Sequence, residues 1–130
     1  MTIWQRGITF TASVSEPEFE TARRHFDDRE YFEAHESWEA LWNEAGGARH
    51  AFLQGLIQVA VALHHAGNEN FTGARKLFAS ALNYLEKGRG DSEPVDVDIL
   101  KDLVLDFELA IQRRLAGEKG PLPFFQLPVR

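Results

Sequence analysis

Cysteine is missing from all 130 residues. Disulfides, thiolate zinc sites and a Cys nucleophile are thereby excluded. Basic charge is scarce too: fourteen Lys and Arg face twenty Asp and Glu, a net charge of −6. Without a basic patch to displace counterions, no nucleic-acid partner is expected. Long apolar runs are also lacking. The longest, Ala51 to Leu63, is broken by Gln54 and Gln58, whereas a membrane-spanning helix takes roughly 20 mostly apolar residues. The first ten residues, MTIWQRGITF, hold no apolar stretch of signal-peptide length. No membrane partner is expected, and the cytoplasm is the expected compartment. The chain also lacks a Gly-rich phosphate loop and a GxSxG elbow. His35-Glu36 is followed by Glu39 and not by a second histidine, so there is no HExxH zinc motif.

Proline is sparse where it would do harm. None falls between Pro17 and Pro94, and three of the five lie in the last ten residues. Since proline inside a helix costs roughly 3 kcal/mol, the pattern predicts a helical body and an extended tail over 118–130. With 44% apolar and 26% charged residues, the chain is expected to be one globular domain over 1–130.

Capping residues divide the body into five helices. Ser15 with Glu18 reads as a capping box, with Pro17 in the first turn of a helix over about 16–26. Asp27 or Asp28 with Glu30 starts a second, over about 28–44, which Gly46-Gly47 ends. A third runs over about 48–66 and stops at Gly67. Asn70 caps a fourth, over about 71–87, and Asp96 a fifth, over about 96–116. No segment alternates with period two, so the expected fold is all-α.

Periodicity agrees. Val97, Leu100, Val104, Phe107 and Ile111 form one stripe at spacings of three and four. The third segment is apolar all round its axis, which predicts a buried central helix. Gly55 in its middle would cost roughly 1 kcal/mol relative to Ala unless another helix approaches closely there. In the tail, Phe124, Phe125 and Leu127 are expected to pack back onto the bundle through apolar area alone. An extended partner-binding segment is the alternative.

One weak internal repeat is visible. Tyr31, Ala34 and Trp38 recur forty residues later as Phe71, Ala74 and Phe78. The stretch ALHHAGNENFTGARKLFASAL resembles a tetratricopeptide hairpin. Those repeats have a period of 34, so the similarity reads as shared helix-hairpin physics.

The densest polar signal lies in the run from Tyr31 to Trp42. At 100° per residue, Tyr31, Ala34, Trp38, Leu41 and Trp42 form its core stripe; His35 falls inside it and Glu39 at its edge. Gln54 and Gln58 are the only polar side chains in the Ala51–Leu63 run. A buried amide without partners costs roughly 1–3 kcal/mol, so both need satisfying. Counting outward from about residue 46 sets Glu39 level with Gln54 and His35 level with Gln58. The leading expectation is a hydrogen-bonded network of these four that fixes helix register. A second reading is a small-molecule or active site, with His35 and Glu39 as the catalytic pair and Gln54, Gln58, Trp38 and Trp42 binding the ligand. A third, a metal site on His35 and Glu39, is disfavoured because the repeated Glu-x-x-His pattern is absent, so neither metal nor cofactor is expected. His65 faces this way but is expected at the rim, and His64-His65 read as surface histidines at a helix end.

The elements YFEAHESWEALW, FLQGLIQVAVALHH and GNENFTGARKLF resemble, in order and spacing, the bacterial and archaeal family known as domain of unknown function 309. The resemblance covers about residues 20–87 and implies a small all-helical bundle with a buried central helix. It implies no activity, cofactor or catalytic residue. The functional expectation is therefore a soluble helical protein of unassigned biochemistry with a polar core or small pocket at His35, Glu39, Gln54 and Gln58. Acid–base or metal-dependent hydrolysis of a small substrate is one alternative. A helical-hairpin interaction module is another. The partner is a small molecule or a protein, and self-association is compatible with the sequence.

Overall fold

The computed structural model describes residues 17–90 and 93–130. Five helices follow one another: α1 (Pro17–Asp27), α2 (Tyr31–Trp42), α3 (Gly47–Gly67), α4 (Phe71–Lys87) and α5 (Val97–Leu115). No strand occurs among the described residues, only an isolated antiparallel bridge between Val95 and Val129. The fold is an all-α bundle, as the sequence predicts.

Helix α3 is the central rod, packed between α2 and α4. Leu56, Val59 and Ala60 are fully buried, and Ile57 nearly so. Gly55 permits a close approach of α4: a Cβ there would lie 2.7 Å from Leu85 Cγ and 3.0 Å from the Leu85 backbone nitrogen. The stripe on α5 is buried as its spacing requires, at Val97, Leu100, Val104, Phe107 and Ile111.

Asn70 and Asp96 cap α4 and α5, their side chains accepting from the backbone nitrogens of Gly73 and Ile99. The cap expected for α2 does not form. Asp27 is engaged elsewhere, accepting from Arg23 at 3.0 Å and from the Leu127 backbone at 2.8 Å. Arg29 turns left-handed (φ 65°), and α2 starts at Tyr31 with no side-chain cap. Helix α3 ends at Gly67, as expected, and the left-handed residue of the turn that follows is Glu69 (φ 61°). Ser15, the other half of the expected capping box, lies outside the described residues.

The α1–α2 and α3–α4 turns match bond for bond at the forty-residue offset. Glu30 N–H donates to the His25 carbonyl and Asn70 N–H to the His65 carbonyl, both at 2.8 Å. Arg29 N–H reaches the Phe26 carbonyl and Glu69 N–H the Ala66 carbonyl, both at 3.0 Å.

The tail folds back, but not through apolar area alone. Phe125 is buried, its ring 5.9 Å from that of Phe26 and 6.5 Å from that of Phe107. Backbone bonds fasten the segment: Asp96 N–H to the Pro128 carbonyl at 2.8 Å and Arg130 N–H to the Pro94 carbonyl at 2.7 Å. Phe124, expected to be buried, is 44% exposed. The Arg29 guanidinium covers its ring at 4.1 Å instead, which keeps one ring face packed while the charge stays hydrated.

Candidate functional site

The site lies where the N-terminal half of α2 crosses the C-terminal half of α3. On α2, His35 and Glu39 share a face, with His35 Nε2 3.6 Å from Glu39 Oε2. The imidazole is mostly covered, whereas half of the carboxylate side chain is open to solvent. The Phe32 ring meets the His35 ring edge-on at 5.4 Å and the His64 ring at 6.0 Å. Together Phe32, His35, Val61, His64 and His65 line a cleft of about 350 Å³.

The four-membered network does not form. Among the described residues, no side-chain hydrogen bond joins His35 or Glu39 to Gln54 or Gln58. Gln54 and Gln58 are both half-buried, and Gln58 Oε1 is buried without a partner. Side-chain lean shifts the level at which the two helices meet. Every Cα–Cβ bond tilts toward its own helix N-terminus. In this antiparallel pair, α2 side chains lean away from the connecting loop and α3 side chains toward it. Contacts are thus displaced along α3, and His35 shares its cleft with Val61, His64 and His65.

Unpaired polar atoms concentrate on the candidate residues. The buried side-chain atoms without a hydrogen-bond partner, among the described residues, are His35 Nδ1, Gln58 Oε1 and the indole nitrogens of Trp38 and Trp42. Each such atom costs roughly 1–3 kcal/mol when left unpaired. Trp38 is fully buried, against Phe19 at 5.8 Å and Phe26 at 5.9 Å. Trp42 stacks on His50 at 4.5 Å.

Phe32, Val61 and His64 line the cleft without having been expected there, and His65, expected at the rim, lines it too. The signal for His65 was its place on the α3 stripe of Gln54, Gln58 and Val61. Its Nδ1 lies 3.2 Å from Asn70 Nδ2, and His64 Nε2 lies 3.4 Å from Asn68 Nδ2. No group of three or more His, Asp or Glu side chains among the described residues is placed to hold a metal ion. No described helix is long and apolar enough to cross a membrane.

A family described as a domain of unknown function, DUF309, matches residues 19–77. These residues are similar to a DUF309 domain. They comprise most of α1, all of α2 and α3 and the start of α4, and so contain the whole cleft. An uncharacterized protein of Bacillus subtilis (strain 168), YpuF, is 37% identical over 71 residues, which cover 54% of this chain and 41% of that protein. The match thus spans less than half the length of the relative. No solved structure matches the chain. The DUF309 match and an uncharacterized relative leave the biochemistry unassigned.

Proposed function

We propose that the α2–α3 cleft binds a small molecule, with His35 as its central polar group. The observation that carries this reading is the unpaired, buried Nδ1 of His35 beside a cleft of about 350 Å³. A network retained for stability would be satisfied, and buried polar atoms without partners call for another explanation. Phe32 and Val61 supply apolar walls, and three imidazoles supply the few polar groups that orient a ligand. The closeness of Glu39 to His35 favours acid–base hydrolysis as a second reading. That reading is weaker, because His35 Nε2 and Glu39 Oε2 stand 3.6 Å apart, beyond hydrogen-bond reach. The absence of cysteine supports a cytoplasmic setting.

The test is a panel of small aromatic amides, carboxylates and amines titrated into the isotope-labelled full chain. At least one should shift the resonances of Phe32, His35, Val61, His64 and His65 together. His35→Leu should abolish that response and leave stability within about 1 kcal/mol of wild type, since it removes an unpaired group. A panel that shifts no cleft resonance refutes the proposal. So does a loss above roughly 3 kcal/mol in His35→Leu, which would mark His35 as a satisfied structural group.

A further inference from the structure

The two equivalent turns treat their histidines in opposite ways. In the first, Glu30 Oε1 stands 2.8 Å from His25 Nδ1. A carboxylate only accepts, so His25 carries its proton on Nδ1. In the second, Asn70 occupies the position of Glu30, and its Oδ1 is already taken by the Gly73 backbone N–H at 3.2 Å. Turning the amide over would set two donors against each other, so the –NH₂ faces His65. An amide nitrogen only donates. His65 Nδ1 is therefore the acceptor, and the neutral ring carries its proton on Nε2.

We infer that Asn70 is a positioning residue that fixes His65 as an Nε2–H donor at the α2–α3 cleft, and that the cleft takes a small neutral ligand through a carbonyl oxygen. The ligand half of this inference rests on the small-molecule reading above. A metal ion is a poor occupant, because neither nitrogen of His65 offers it a free lone pair. A carboxylate is a poor one too: no Lys or Arg lines the cleft, and Glu39 stands at its edge. An amine would bring donors to a donor. A neutral carbonyl oxygen can accept from His65 Nε2–H while an apolar body lies against Phe32 and Val61.

Asn70→Asp tests the first half. Asp caps a helix as well as Asn does, so α4 keeps its start. Its carboxylate, however, recreates beside His65 the situation of Glu30 beside His25. Long-range ¹H–¹⁵N spectra at about pH 8.5, two units above the ordinary imidazole value of about 6.5, should show His65 protonated on Nε2 in wild type and on Nδ1 in the variant. His25, protonated on Nδ1 in both, is the internal control. A wild-type His65 protonated on Nδ1 overturns the inference. For the second half, benzamide, benzoate and benzylamine are titrated into both proteins. Benzamide should shift His65 Nε2–H most in wild type and lose at least fivefold in affinity in Asn70→Asp. Benzylamine or benzoate binding more tightly than benzamide overturns the ligand class alone. Silence of the cleft with these three and with the whole panel overturns the ligand class together with the site, and leaves the tautomer assignment to stand on its own spectra.

Discussion

Gly55→Ala sets two physical effects of opposite sign against each other in the middle of α3. Helix propensity favours alanine by about 1 kcal/mol, since glycine loses more backbone entropy on folding. Packing opposes it. The new methyl would sit 2.7 Å from Leu85 Cγ, 2.8 Å from its Cδ2 and 3.0 Å from its backbone nitrogen, where carbon contacts prefer about 3.5–4.0 Å. Leu85 is fully buried, and the backbone nitrogen cannot move without α4. Such overpacking costs typically about 1–3 kcal/mol. The net expectation is a loss of about 1 kcal/mol, or roughly 3–5 °C in melting temperature for a chain of this size. Leu85→Ala makes the assay specific. Alone it should cost about 2–5 kcal/mol, but with Gly55→Ala the added methyl gains room. The pair should then lose less than the sum of the singles, by about 0.5–3 kcal/mol. A melting temperature raised by Gly55→Ala, or strict additivity with Leu85→Ala, would refute the close α3–α4 approach at this point.

Two further expectations concern the tail and an exposed carboxylate. Phe125→Ala should cost about 3 kcal/mol, because its ring is buried against Phe26 and Phe107. Phe124→Ala should cost less, about 1 kcal/mol, because its ring is 44% exposed and lies under the Arg29 guanidinium; equal losses by thermal melting would show the tail docked differently. Glu86 is held down to about 2 from an ordinary 4.5, first by its hydrogen bonds with Arg89 and then by those with Lys101. Depression means that the stabilisation it brings is complete above the ordinary value and is lost as pH falls through about 2. Carboxyl ¹³C titration should show Arg89→Ala raising Glu86 more than Lys101→Ala does; the reverse order would mean that the Lys101 contact dominates.

Where a feature depends on one local pattern, the sequence displays it. The α5 stripe needs only the 3.6-residue period, and all five of its residues are buried. Asn70 and Asp96 cap because their oxygens have no stronger claim on them. Asp27 fails as a cap for the opposite reason: Arg23 and the tail, a hundred residues away, already hold its carboxylate. The same long-range contact explains why the tail is fastened by hydrogen bonds and not by apolar area alone. Its partners Asp27, Pro94 and Asp96 cannot be inferred from the run PLPFFQLPVR.

The site divides along the same line. That His35 and Glu39 sit together follows from a spacing of four on one helix. What His35 meets on α3 depends also on side-chain lean in an antiparallel pair, which favours partners further along α3, and His35 shares its cleft with Val61 and His65. Viewed as a tandem pair, His64-His65 pose only the question of whether both could bind one ion. The forty-residue offset carries more information. It aligns His25 with His65 and Glu30 with Asn70, so two turns with the same backbone bonds differ by one acceptor exchanged for a side chain that both accepts and donates. The cap explains why that exchange has a direction. Glu30 spends its carboxylate on His25 and leaves α2 uncapped, whereas Asn70 gives its oxygen to α4 and has only an N–H left for His65. The proton on His65 is thus settled by where the next helix begins.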